Sequence, residues 1–419
     1  MPRVLILADD LSGAADCGIA CVNAGLDTLV SLGPPSLGLT ADVISVDADS
    51  RCLNAFEAAE RMGQLIQAHA KDPAMLIFKK VDSTLRGHLG PELAAVLEAR
   101  RAVVKGTVAV MAPAFPANGR TTVGGLHYVH GRPLHETEMW KTDRITGEAY
   151  IPQMLEGSGL RYAHLDLATV RSSRAAFNSA VSKASEIAAV LVCDAVTDED
   201  LRSIAEAAID LEGRAVWVGS AGLAQQLPKT AGLTMSNKDA VTHLPQTSGP
   251  VLFVIGSTSW TTRQQATTLL SSSDIHGVVV PPEVLLAGPA GAGWNAFTTE
   301  LYDAVEQRED VILLCGSQPE VDVVDRPKLS QALGQMTAPL RGRVGAVVAS
   351  GGETARVVLD RWGVRTLRLH GELERGVPVS SAIVDGTRPL TVITKAGDFG
   401  QPYTLLHCQE WLSKRGVFK

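Results

Sequence analysis

Two adjacent carboxylates, Asp9 and Asp10, follow directly on the apolar run Val4-Leu5-Ile6-Leu7 and precede Leu11-Ser12-Gly13-Ala14-Ala15-Asp16. Acids at the carboxyl end of a buried strand stand where open α/β sheets bind ligands. A carboxylate in that place can orient and deprotonate an attacking hydroxyl. Asp, Ser and Gly also favour helix N-caps, but one cap does not need two acids. Asp10 is the expected base, with Asp9 the close alternative.

Four further strand exits carry polar clusters. In Phe78-Lys79-Lys80-Val81-Asp82-Ser83-Thr84-Leu85-Arg86-Gly87-His88, cations, an acid and hydroxyls converge after an apolar run. Paired lysines usually lie on the surface, yet convergent polar groups of this kind favour an anion-binding loop. Val46-Asp47-Ala48-Asp49-Ser50-Arg51 presents Arg51, whose planar fork suits a bidentate clamp on a carboxylate. Ile255-Gly256-Ser257-Thr258-Ser259 opens a helix near Thr261, and Ser350-Gly351-Gly352-Glu353-Thr354-Ala355 opens another. Glycine and hydroxyl turns at helix N-termini cradle phosphate, because free backbone N–H groups and the helix dipole face the anion. Two such turns in one half of the chain favour a nucleotide. A last loop, Thr394-Lys395-Ala396-Gly397-Asp398-Phe399-Gly400, resembles the Gly-Ala-Gly-Asp motif of ribokinase-like sugar kinases, except that Lys395 replaces the first glycine. It is expected to serve as an independent nucleotide loop.

The elements that must position these loops alternate in type. Short apolar runs at Val43–Val46, Met75–Phe78, Val108–Met111, Val190–Val192 and Ala215–Val218 are separated by helical patterns such as 55–68 and 91–101, the second opening on proline. Alternation of this kind predicts an α/β fold with mainly parallel sheets. With 419 residues, two domains are expected: 1–230, a polar linker over 231–249, and 250–419. The second half resumes the pattern at Val251–Ile255, Val311–Leu314, Val344–Ala349 and Leu390–Thr394. Ala112 to Arg120 is punctuated by Pro and Gly and reads as a loop.

Composition excludes several partners. Apolar residues make up 45% and charged residues 20%, with a formal charge of −7, so no basic field attracts nucleic acid or an anionic membrane. No segment approaches the roughly 18 apolar residues of a membrane helix. The first residues lack a signal-peptide pattern, and six scattered cysteines read as reduced, mostly buried thiols. A cytoplasmic protein is expected. The chain has no Gly-Lys dipeptide and hence no Walker A loop, no Gly-x-Ser-x-Gly elbow, and only the first half of a zinc-protease helix at His135-Glu136.

Taken in order, Ala8-Asp9-Asp10-Leu11-Ser12-Gly13-Ala14, Lys80 to Gly87, Pro113-Ala114-Phe115-Pro116, Gly219-Ser220-Ala221-Gly222-Leu223, Ser350 to Thr354 and Lys395 to Gly400 resemble the four-carbon acid sugar kinase family, formerly a domain of unknown function. The resemblance spans nearly the whole chain. Leu11-Ser12 stands where the family often has Phe-Thr, which keeps an apolar residue and a hydroxyl. It implies an N-terminal domain for a sugar acid, a C-terminal domain for ATP, and an active site in the interdomain cleft. The substrate contacts it implies are Asp9 or Asp10, Arg51, Lys80, Asp82, Ser83, Thr84 and Arg86. The nucleotide contacts it implies are Ser257, Ser350, Gly351, Gly352, Glu353, Thr354, Lys395, Gly397, Asp398 and Gly400. The implied reaction transfers the γ-phosphate of ATP to the terminal hydroxyl of D-threonate, D-erythronate or 3-oxo-tetronate. Magnesium is expected with the ATP, its protein ligands are not identified, and a homodimer is left open. Two other readings stand beside this one: a ribokinase-like carbohydrate kinase, which needs a true Gly-Ala-Gly-Asp loop, and a non-catalytic regulator that senses a sugar acid or nucleotide, which needs no base.

Overall fold

Val4 and Ile6 face one side of their strand and Leu5 and Leu7 the other, and all four are buried, which is why the run is continuously apolar. The structure, a computed structural model, describes residues 3–35, 40–142, 145–233, 248–257, 259–316, 325–384, 386, 388–397 and 399–414. The chain divides into two units, Met1–Ala240 and Val241–Lys419. Of the expected linker, residues 234–247 lie outside the described residues.

The strands of the first unit are, in chain order, β1 (Val4–Ala8), β2 (Thr28–Leu32), β3 (Val43–Asp47), β4 (Leu76–Lys80), β5 (Val108–Ala112), β6 (Arg120–Val123), β7 (Leu126–Val129), β8 (Arg132–Pro133), β9 (Tyr162–Leu165), β10 (Val190–Cys193) and β11 (Ala215–Gly219). Eight of them pair in the order β2-β3-β1-β4-β11-β5-β10-β9, all parallel. Helices Leu11–Val22, Arg174–Ile187 and Asp198–Ile209 place Cys17, Phe177, Val181, Leu201 and Ile204 against one face. Helices Ala55–His69 and Leu89–Arg101 place Met62, Leu65, Leu93 and Val96 against the other. The chain leaves β1 toward β3 and then crosses to β4, so strand order reverses around β1 and opens a crevice at its carboxyl end.

Strands β6, β7 and β8 form a separate antiparallel meander. It emerges from the Pro- and Gly-punctuated segment, where Pro116–Asn118 form one 3-10 turn closed by Gly119 at φ 68°. The helix expected to open on Pro91 begins two residues earlier, at Leu89. Proline is tolerated there because its missing N–H belongs to the first turn, where no intrahelical acceptor exists.

The second unit contains β12 (Val251–Ile255), β13 (His276–Val280), β14 (Val311–Cys315), β15 (Ala346–Ser350), β16 (Thr366–Glu372), β17 (Pro378–Val384) and β18 (Arg388–Lys395), in the order β13-β14-β12-β15-β18-β17-β16. The five from β13 to β18 in that order are parallel, and β17 and β16 add an antiparallel edge. Phe253, Val348 and Ile393 pack one face against Ala266, Leu269, Leu405 and Cys408. Here the order reverses between β12 and β15. No helix among the described residues is long and apolar enough to cross a membrane.

Candidate functional site

Three strand ends of the first unit meet on one guanidinium. Arg51, just beyond β3, donates from Nε to Asp9 Oδ2 at 2.7 Å and from Nη2 to Asp9 Oδ1 at 3.0 Å. Its Nη1 donates to Asp10 Oδ2 at 2.7 Å, and Nη2 also lies 3.4 Å from Asp82 Oδ2, beyond β4. The bidentate fork fixes both distance and plane. Ser50 and Arg51 hold this place because their amides donate to the Asp9 carbonyl at 3.0 and 3.3 Å.

Burial opposes ionisation of Asp9, but Arg51, Lys79 and Lys80 outweigh it and hold the carboxyl below its usual range. Asp82 is likewise buried, and Arg86, Arg51 and Lys80 keep it well below. Burial disfavours the Arg51 charge, and Asp10, Asp9 and Asp82 more than offset that. Asp9, Asp82 and Arg51 are therefore fixed ions at neutral pH.

Asp10 performs two jobs. Its Oδ1 accepts from Gly13 N–H at 2.8 Å and caps the helix Leu11–Val22, while Oδ2 holds Arg51. Asp10, the expected base, is thus also the cap of the helix. Asp10 is also the more open of the pair, its side chain 20% exposed against 3% for Asp9.

The Lys80 to Gly87 loop is built on Asp82. Its Oδ1 accepts from Thr84 N–H at 2.9 Å and from the Thr84 hydroxyl, and Arg86 grips both oxygens at 3.1 and 2.9 Å. Leu85 adopts φ 57°, a left-handed conformation that costs energy for a side-chain-bearing residue and is offset by burial of its isobutyl group. The Ser83 carbonyl accepts from His127 Nε2–H at 3.0 Å, so the β6–β8 meander braces the loop.

A buried ion pair beside the cluster is marked by no motif in the sequence. Lys79 Nζ stands 2.8 Å from Glu92 Oε2 and donates to the Lys80 carbonyl at 2.7 Å, while Ser50 Oγ–H donates to Glu92 Oε1 at 2.5 Å. Glu92 looks like an ordinary first-turn acid, and only the fold brings Ser50 to it.

The glycine loops of the second unit converge at the ends of β12, β15 and β18. Gly351 adopts φ 104°, and a side chain there would face Ser257 N and Thr354 Oγ1. A Cβ on Gly256 would start inside Thr354 Oγ1, and one on Gly397 inside Ser257 Oγ. A Cβ on Gly400, which adopts φ 89°, would lie 2.5 Å from Thr404 Oγ1. Gly352 begins the helix Gly352–Arg361, which has no side-chain cap, leaving amides for an anion. The residues present fit a phosphate chain.

Not every residue expected at this site points into it. Ser350 is buried, its Oγ 3.3 Å from Thr262 Oγ1, and Thr354 Oγ1 lies 3.2 Å from Ser330 Oγ. Lys395 is 1% exposed, and its ammonium donates to the carbonyls of Ala396, Gly397 and Phe399 at 2.9, 3.0 and 3.0 Å. Ser259 and Thr262 hydroxyls reach the same Gly397 carbonyl at 2.9 and 2.5 Å. Lys395 thus folds back on its own loop and shapes it. Glu353 lies exposed in the first helical turn, and Asp398 and Thr258 fall outside the described residues.

Residues 4–227 match a family model described as a sugar-binding N-terminal domain, and residues 252–405 one described as a nucleotide-binding C-terminal domain. A sugar-binding unit joined to a nucleotide-binding unit defines a two-domain phosphotransferase. The chain belongs to the four-carbon acid sugar kinase family. It is 38% identical to a D-threonate kinase of Cupriavidus necator over 98% of both chains. It is 32% identical to a D-threonate kinase of Bordetella bronchiseptica over 100% of this chain and 99% of that one. A 3-oxo-tetronate kinase of Cupriavidus necator is 30% identical over 96% of this chain and 95% of its own. A solved Salmonella typhimurium protein described as a putative tRNA synthase shares the fold, with a TM-score of 0.80 at 21% identity over 98% of this chain and 99% of its own.

Proposed function

We propose that this chain transfers the γ-phosphate of ATP to the terminal 4-hydroxyl of D-threonate. The observation that carries the proposal is the Arg51-centred cluster of Asp9, Asp10 and Asp82 at the strand-order reversal of the sugar-binding unit. The names of the relatives at 38% and 32% identity over nearly the full chain support D-threonate among the four-carbon acids.

Each group takes a role from its geometry. Asp10, partly open, accepts the proton of the attacking hydroxyl and orients it, while Arg51 holds the carboxylate in place. Asp9 anchors Arg51 from beneath with both oxygens. Arg86, 38% exposed, places positive charge near the incoming phosphoryl oxygens. Magnesium bound to ATP would neutralise its phosphate oxygens. Among the described residues no three acidic, histidine or cysteine side chains form a metal group, which fits an ion carried largely by the nucleotide and water.

A coupled ADP-release assay over D-threonate, D-erythronate, 3-oxo-tetronate and neighbouring sugar acids tests the proposal. D-threonate is expected to give the highest kcat/KM. A higher value for another acid overturns the substrate assignment.

A further inference from the structure

The first turn of the helix Leu11–Val22 carries polar groups with nothing to bind. Asp10 uses its side chain on Gly13 N–H and its carbonyl on Ala14 N–H, which leaves the amides of Leu11 and Ser12 without a partner among the described residues. Ser12 Oγ is buried and has no hydrogen-bond partner among the described residues. Lys80 is 5% exposed, and among the described residues its ammonium has neither a hydrogen bond nor an ion pair.

The Lys80 ammonium lies at the same turn. A Cβ on Gly13 would stand 3.0 Å from Lys80 Nζ and 2.7 Å from Asp10 Oδ1, so the ammonium lies against the first helical turn and the glycine makes room for it. A helix N-terminus carries partial positive charge, and a buried ammonium beside it is repelled unless an anion sits between them. Burial opposes the Lys80 charge, but Cys17, Asp82, Asp10 and Asp9 more than compensate; with the Cys17 thiol itself pushed up by burial, the carboxylates keep the lysine ionised at neutral pH. Arg51 is no competitor for the anion, because its Nε, Nη1 and Nη2 already hold carboxylates of this chain.

We infer that this turn seats the carboxylate of the sugar acid, with Lys80 as its counter-ion and Ser12 Oγ–H and the Leu11 and Ser12 amides donating to its oxygens. The inference rests on the sugar-acid kinase reading and moves the carboxylate contact from Arg51 to the helix. All four groups lie in the unit that matches the sugar-binding model, whereas the phosphate turns lie in the other. The terminal hydroxyl is only three carbon–carbon bonds from the carboxyl group, short enough to remain beside Asp10 at the same turn.

Two variants and one substrate analogue test this. Lys80→Met keeps length and removes charge, and Ser12→Ala removes only the unpaired hydroxyl, so the second serves if the first melts early. Calorimetric binding of D-threonate without ATP is expected to weaken about tenfold or more in each, a charged hydrogen bond being lost. The KM for ATP stays unchanged. Threitol, which has a hydroxymethyl group in place of the carboxylate, keeps its kcat/KM in both variants, so the preference for the acid narrows. Wild-type binding of D-threonate by folded Lys80→Met and Ser12→Ala overturns the inference. Equal losses with threitol and D-threonate also overturn it, and place Lys80 on the transferred phosphoryl group instead. Failure of the substrate reading is separate: wild-type protein then ignores D-threonate, and the comparison is repeated with whichever four-carbon acid turns over. If none does, both readings fall.

Discussion

At the scale of single residues, Asp9 and Asp10 differ in what their loss exposes. Asp10→Asn keeps a Gly13 cap but cannot take a proton, so kcat is expected to fall by about a hundredfold or more with D-threonate binding largely kept. Asp9→Asn leaves the buried Arg51 with half its pairing and is expected to cost about 3–5 kcal/mol of stability, seen as a lower Tm. A kcat collapse confined to Asp9→Asn reverses the roles. His127 gives a second prediction. Its Nε2–H donates to the Ser83 carbonyl, so Nδ1 must accept from the Thr122 hydroxyl 3.1 Å away, and the ring is neutral. Burial, with Arg120 adding to it, lowers its pKa to about 4 from the usual 6.5, against the opposing pull of Ser83 and Asp82. The unfolded chain binds the proton first, so stability is full above 6.5 and is lost as pH falls toward 4. Urea midpoints should show about 2 kcal/mol lost between pH 7 and 5, and His127→Gln should remove that share of the slope. Asp9, Asp10 and Arg51 are legible in the sequence because each leaves an apolar run. Ser50 and Glu92 are not, since the bond between them crosses 42 residues and neither sits in a motif of its own.

At the scale of elements, the glycine turns of the second unit depend on close packing between loops. Gly397→Ala would drive a methyl group into Ser257 Oγ, so the loop must shift, and the KM for ATP is expected to rise about tenfold or more while calorimetric D-threonate binding stays put. An unchanged KM for ATP in a folded variant removes this loop from the nucleotide site. Interior strands were readable from sequence: Val251–Ile255 has the expected bounds, and Val108, Val190 and Ala215 all begin strands. The antiparallel margin, β16 and β17, was not, because strands such as Pro378–Val384 mix Ser with aliphatic residues and lack a continuous apolar run. Tyr162–Leu165, at the sheet edge, escaped for the same reason. Lys395 shows a subtler limit: its position in a glycine loop suggested a phosphate ligand, and only the carbonyls around its ammonium reveal what it holds.

At the scale of the whole molecule, each unit has its own core. The second packs Phe253, Leu269, Val348 and Leu405 within residues after 248, and a fragment 248–419 is expected to fold and bind ATP by calorimetry. A folded fragment that ignores ATP would place part of the nucleotide site on the first unit. The α/β class was accessible from the alternation of apolar runs with helical patterns, and the kinase family from six ordered motifs, since motif order survives where edge strands and loop contacts do not.

Strand β11 lies between β4 and β5, so that Val216 pairs with both Ile77 and Ala109. Order in the sheet therefore differs from order of synthesis. A growing chain can assemble β2, β3, β1 and β4, and separately β5, β10 and β9, but the two half-sheets stay apart with open edges until residue 219 has emerged. Translation takes roughly 10–45 s to reach that point at about 5–20 residues per second. Nascent chains arrested before Ala215 should be protease-sensitive and prone to pair edge to edge, whereas chains arrested with residue 233 outside the ribosome should resist. The Arg51 cluster, which uses only strand ends before residue 87, is thus encoded early, whereas the strand that pairs with β4 beside it is made more than a hundred residues later.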